Sequence, residues 1–257
     1  GTAFSGFQRQ ETCRTVAGEL EAAWMRWHGE RIDVFSSSRT DAGVHARRMP
    51  VTLTTTLQLP AKAFVLGWSR HLPDDVAVIE AVAVDDTFHV RHDAIAKRYI
   101  YRLWCARPRS PLHRLDHWHA RRPLDLDAMR SAAAMLEGDH DFAAFRTSSC
   151  TALSTVRSMR QVKIVEAAPA VHIIVEGNAF LHNMVRIMVG TLVEVGRGKR
   201  APEAVRRALL SGRRVDAGQT APPNGLTLDD VVYGPYGARQ GTEHKQLLAR
   251  MHESLGA

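Results

Sequence analysis

The sequence predicts a mixed α/β protein of the α+β kind, built from two similar α/β subdomains, and three observations carry that reading. Stretches with apolar residues at helical spacing alternate along the chain with short runs rich in β-branched and aromatic residues. At 257 residues the chain is long enough for one large domain or two modest ones. Its 45% hydrophobic and 24% charged content belongs to an ordinary globular chain and excludes a disordered, collagenous or low-complexity one. No linker of Gly, Ser or Pro is long enough to separate independent folds, so the expected halves, residues 1–90 and 91–257, share a sheet or an interface.

The first helix is expected from Cys13 to His28, where Val16, Leu20, Trp24 and Trp27 recur at helical spacing and Gly29 can end it. IDVFSSS and MPVTLTTT read as short strands around the turn RTDAGVHA. PAKAFVLGWSRHL reads as a helix leading into a strand, VAVIEAVAV. KRYIYRLW alternates and is rich in aromatics, which predicts a strand with Tyr99 and Tyr101 on one face. LDAMRSAAAMLEG predicts a helix closed by Gly138, and VRSMRQVKIVEA with AVHIIVEG predicts a hairpin around Ala168-Pro169. From Leu181 to Val195 one apolar stripe predicts the most regular helix, and Arg186 lies ~140° from Leu181, off that stripe. Both this helix and the first are preceded by a similar phrase, GTAF and GNAF, a four-residue hint of a duplicated strand-turn-helix unit.

Several chemistries are set aside. No apolar run reaches the ~18–20 residues of a membrane helix, and GTAFSGFQRQ has neither a basic leader nor an apolar signal core, so a cytoplasmic protein is expected. Cys13, Cys105 and Cys150 are odd in number and far apart, which predicts buried thiols and no disulfide framework. GRGKR lacks the spacing of a nucleotide-binding loop and reads as a basic helix end. His113, His117 and His119 have no acidic or Cys partners at a recurring spacing, and no GxSxG elbow is present. The formal charge of +7, with 29 Arg and five Lys, suits a polyanionic partner, because guanidinium groups contact phosphates bidentately and release counterions.

What remains is the polar turn Arg39-Thr40-Asp41-Ala42-Gly43-Val44-His45, expected to set a carboxylate and a guanidinium side by side. An Asp held out of water can act as nucleophile or base, and an adjacent Arg would keep it ionised. A surface turn with a local ion pair is the plainer alternative.

The segments GTAFSGFQRQ, SSSRTDAGVHA, LPDDVAV, FHVRHDAIAKRYIYRLW, GDHDFAAFR, GNAFLHNMVRIMVGTLVEVGRGK and TAPPNGLTLDDVVY, in this order, resemble the tRNA pseudouridine synthases of the TruA type. The resemblance spans nearly the whole chain. It implies an isomerase that turns uridine into pseudouridine in the anticodon stem-loop of tRNA, working as a homodimer without cofactor or metal. It implies a central, mainly antiparallel sheet flanked by helices. Asp41 matches the family's covalent catalyst, Arg39 its partner arginine, Tyr99 the tyrosine on the target base and Arg186 the second arginine near the carboxylate. Leu226 matches an apolar residue of the uracil pocket, and His45 and Asn183 are assigned with it to substrate binding. For Arg39 the expected task is to fill the space of the flipped base or hold its phosphate.

The chain departs from the family in three places. Relatives have a strand ahead of the GTAFSG segment, without which one sheet would be incomplete; Ser69 and His71 stand in GWSRHLP where asparagine is usual; and three serines precede Arg39. Two other classes are weighed against the enzyme: an RNA-binding protein on the same fold, which would need neither Asp41 nor Tyr99, and a small-molecule acid-base enzyme using Asp41 and His45.

Overall fold

The computed structural model describes residues 1–234. Helix α1 (Val16–His28) begins three residues later than its periodicity suggested, because Thr15 caps it by accepting the Gly18 N–H. Gly29, in the left-handed conformation at φ 70°, ends it. Strands β1 (Phe35–Ser36), β2 (His45–Ala46) and β3 (Val51–Thr52) follow, each two residues long. The helix expected over residues 60–72 shrinks to α2 (Ala61–Ala63), which runs into a π-helical turn at Phe64–Trp68. There Gly67 lies so close to the Trp27 ring that a Cβ would overlap it. The strand expected at residues 76–84 does not form: a run with the right alternation still needs a partner ladder, and among the described residues none pairs with it. Val76 and Val78 nevertheless pack on the Trp24 cluster.

The rest of the chain builds the sheet. Strand β4 (Ala94–Trp104) lies at its centre, β5 (Trp118–His119) pairs with its end, and helix α3 (Leu126–Ala134) is capped by Asp125. Gly138 does not close α3; at φ 96° it opens strand β6 (Gly138–Asp141). Strands β7 (Val156–Ala167) and β8 (Ala170–Gly177) form the expected hairpin across Ala168-Pro169. After α4 (Met184–Gly196) and α5 (Ala204–Ser211), strand β9 (Leu226–Tyr233) completes a seven-stranded sheet of order β2-β9-β4-β8-β7-β6, with β5 beside β4. Pairing is antiparallel except for β2 on β9 and β5 on β4.

Helices α3 and α4 cover the face of the sheet that carries Tyr99, Tyr101, Leu103, Ile173 and Val175. Each such large apolar side chain contributes about 1.5–3 kcal/mol on burial, so this cluster dominates the stability. Helix α4 is more enclosed than a single apolar stripe implies: of its residues only Arg186 and Glu194 are not buried. A smaller cluster around Trp24, Leu20, Phe7 and Trp68 serves the N-terminal region. The cysteines are less hidden than expected, Cys13 being exposed and the other two half-buried, with no disulfide among them.

Candidate active site

The Asp41 turn is held from three sides. Val44 N–H donates to the Asp41 carbonyl at 3.1 Å, closing a tight turn whose third position, Gly43, sits at φ 78°. From behind, the GTAFSGF segment supports it: Gly43 N–H donates to Phe4 O at 3.2 Å, and Phe7 N–H to Thr40 O at 3.2 Å. Gly6 makes that approach possible, since a Cβ there would come within 2.7 Å of the Thr40 carbonyl. Below it Val44 is buried in the main core, while β2 lies parallel to β9 with His45 beside Thr227.

The carboxylate of Asp41 is a quarter exposed and engaged at both oxygens. Arg186 Nη1 donates to Oδ2 at 3.1 Å, and His182 Nε2 lies 3.3 Å from Oδ1. Arg186 is itself locked, donating from Nε to Ala221 O at 2.8 Å and from Nη1 to Asn183 Oδ1. Asn183 takes the left-handed conformation at φ 60°, so α4 begins only at Met184 and not at Leu181. Arg39 does not form the ion pair that its nearness in sequence suggested: it is exposed and makes no contact with Asp41. The cation comes from α4 instead, carried to the turn by the packing of that helix on the sheet.

Tyr99 lies in β4 with its ring edge-on to Phe180, centroids 5.1 Å apart. Burial pushes its phenol up to about 12, the Ser38 side chain offsets some of that, and the Asp41 charge adds to it, so the hydroxyl stays protonated at neutral pH. Tyr101 shares its face, as expected, but is core: its hydroxyl donates to Pro222 O at 2.8 Å. Leu226 opens β9 directly beside Tyr101 and is buried. His45 donates from Nε2 to Leu115 O at 2.8 Å, and burial lowers its pKa, so it is a neutral strut.

The turn at residues 113–117 braces this assembly. Besides receiving His45, it receives Asn224 Nδ2 at His117 O, 2.7 Å away, and so ties the Asp41 turn to the segment ahead of Leu226. The sequence showed no acidic partner for its histidines, but Asp116 provides one: its Oδ1 is 2.8 Å from His117 Nδ1 and 3.6 Å from His113 Nδ1. Three potential metal-ligand atoms thus lie within 4.8 Å of one another, His119 not among them. Burial alone would raise the Asp116 carboxyl; the His117 hydrogen bond and the charges of His117, His113 and Arg102 outweigh it and hold it low. With Arg102 adding positive charge beside Asp116, the group reads as a hydrogen-bonded brace.

A sequence model described as tRNA pseudouridine synthase matches residues 1–93 and 132–234. The chain is 47% identical over 241 residues to the tRNA pseudouridine synthase A of Syntrophotalea carbinolica, covering 94% of this chain and 96% of that protein. It is 48% identical to the protein of the same name from Pelobacter propionicus, over 91% of this chain and 96% of that one. The one from Myxococcus xanthus is 46% identical over 91% of this chain and 88% of that protein. This chain belongs to the tRNA pseudouridine synthase family. Its mixed fold with a mainly antiparallel sheet is the one the resemblance implied. The Asp41 turn and the segment bearing His182 and Arg186 lie within the stretches matched to the family model, whereas Tyr99 and the 113–117 turn lie between them.

Three residues of the site escaped the sequence reading. His182 could have been suspected, since in the helix expected from Leu181 it stands four residues before Arg186, although α4 itself starts only at Met184. Phe180 carried no signal beyond being apolar. Lys97, buried in β4, donates from Nζ to Ser37 O at 2.6 Å and so anchors the serine run ahead of the turn. Burial, with the charge of Arg91, lowers its pKa from 10.5 to about 8. Between those values the unfolded chain binds the proton that the folded one has lost, so stability rises with pH. Relative to a Lys97→Met variant, chemical denaturation should find the parent gaining roughly 1–2 kcal/mol from about pH 7.5 to 9.5. A flat difference would show that Lys97 is not desolvated.

Proposed function

We propose that this chain isomerises uridine to pseudouridine in the anticodon stem-loop of tRNA, with Asp41 as the nucleophile. The observation that carries the reading is an aspartate on a braced turn, paired with a locked guanidinium and set beside a protonated, buried tyrosine. The reaction breaks the C1′–N1 bond, forms C1′–C5, releases the C5 proton and protonates N1, so atoms balance without a redox partner. Whether the carboxylate attacks C1′, removes the C2′ proton or adds to C6, it acts as the anion, and Arg186 Nη1, 3.1 Å from Oδ2, holds it in place.

The target base has to leave the stack, at a cost of a few kcal/mol. Arg39, exposed and without a partner among the described residues, is free to occupy the vacated space or hold the phosphate. Arg39→Ala should therefore lower kcat/KM by about 10–100-fold and leave Tm unchanged. Tyr99 packs on the uracil, and Leu226 supplies an apolar wall that keeps the detached base from water. Asn183 acts through Arg186, and His45 through the brace at Leu115. RNA is recognised mainly through phosphates and 2′-hydroxyls, which suits 29 arginines.

The same reading takes a homodimer sharing one tRNA, cytoplasmic work, and a division near residue 90, toward which the Trp24 cluster points, drawn as it is from residues 7–78, while Val44 joins the main cluster and Met49 packs on both. Among the described residues no helix is long and apolar enough to cross a membrane. The test is tritium release from a tRNA transcript labelled at uridine C5, with no cofactor added. Release from the anticodon arm is expected. Intact binding without release would leave an RNA-binding protein in place of the enzyme.

A further inference from the structure

We propose that His182 is a positioning residue for Asp41, holding the oxygen that is handed to the nucleotide. The inference rests on the reading of Asp41 as nucleophile. A carboxylate only accepts, so the ring nitrogen facing Oδ1 at 3.3 Å, Nε2, carries the hydrogen. The other nitrogen, Nδ1, lies 3.2 Å from both the Thr147 and Ser149 hydroxyls, and those two hydroxyls are 3.1 Å apart. With the hydrogen on Nε2, Nδ1 is left to accept from one of them, which keeps the N–H edge of the ring turned toward Asp41. Thr147 N–H also donates to the His182 carbonyl at 3.4 Å, so the loop clasps this residue through backbone and side chain together.

The two partners of Asp41 differ in what it takes to displace them. The Arg186 side chain is 16% exposed and held by three acceptors; to release Oδ2 it would have to leave a buried network. The His182 side chain is 45% exposed and makes one contact to the carboxylate. Oδ1 is therefore the oxygen that meets the substrate, and His182 keeps the plane of the carboxylate turned toward it until the nucleotide replaces the ring. Arg186, bound to a single oxygen, leaves that rotation open by itself.

The experiment is single-turnover conversion of a saturating tRNA transcript by the parent, His182→Ala, His182→Gln, and Thr147→Val/Ser149→Ala in both the parent and the His182→Ala background. His182→Ala is expected to slow conversion about tenfold with KM for tRNA within about twofold, because a misoriented catalytic group costs rate and not binding. His182→Gln, which keeps an N–H donor within reach, should recover most of that loss. The hydroxyl double variant should slow the parent about threefold and add nothing to His182→Ala, as expected for groups acting in one chain. An unchanged rate in His182→Ala overturns the proposal. So does a raised KM at unchanged rate, no recovery with Gln, or an equal effect of the hydroxyl variant in both backgrounds. An Asp41→Asn control separates the two readings: if it stays active, the assignment of Asp41 fails; if it is dead while His182→Ala is unimpaired, only the role of His182 fails.

Discussion

Asp41→Asn is expected to lower pseudouridine formation by at least about 10³-fold while tRNA affinity and fold are retained. Asparagine is nearly isosteric and keeps an oxygen for Arg186 Nη1, so the turn closed by Val44 and Gly43 has no reason to move. Its amide can face His182 if the ring switches tautomer, donating from Nδ1 to Thr147 or Ser149. What is lost is the negative charge and, with it, the nucleophile. Because the pair with Arg186 is partly solvated, the stability cost should stay within about 1 kcal/mol. Tritium release and a filter-binding titration, run on the same preparation, check both halves. Comparable activity in the variant would remove Asp41 from the chemistry, and a parallel loss of binding would mean that it holds RNA instead.

Gly190→Ala should be the most destabilising Gly→Ala substitution among the described residues, by about 3 kcal/mol. In an isolated helix alanine would gain about 1 kcal/mol over glycine. Here the added Cβ would lie 1.8 Å from the Gln219 carbonyl oxygen, a backbone atom with no rotamer to yield. The segment it would push is tied along α4: Thr191 Oγ1 accepts from Gly218 N–H at 2.8 Å, Glu194 Oε1 from Gln219 N–H at 3.1 Å, and Arg186 O from Ala221 N–H at 3.0 Å. Ala221 O also accepts from Arg186 Nε, so displacing the segment shifts the guanidinium that faces Asp41. Activity should fall together with stability. Urea denaturation measures the first effect, and a loss below about 1 kcal/mol would mean that the segment relaxes away freely.

The long elements were legible because their patterns repeat. Alternation over KRYIYRLW, the hairpin residues Ala168-Pro169 and the apolar period after Leu181 each carry many residues of agreement, and β4, the β7–β8 hairpin and α4 formed there, α4 from Met184 and β4 from Ala94. Short elements misled for the opposite reason. Residues 76–84 have strand composition without a neighbouring strand, and Gly138 has the positive φ of a helix cap but uses it to open β6.

The site divides in the same way. By itself the sequence determined the Asp41 turn, the departure of Arg186 from the apolar face and, through seven ordered segments, the family. Only the tertiary structure decided which charges meet. Arg39, two residues from Asp41, makes no pair with it, while Arg186 and His182, roughly 140 residues along the chain, close on its two oxygens. Local sequence sets backbone direction within a few residues, but an ion pair is made by whichever side chains the packed core brings within hydrogen-bond distance. Here that core is α4 against the sheet, and no period or motif encodes the distance between them.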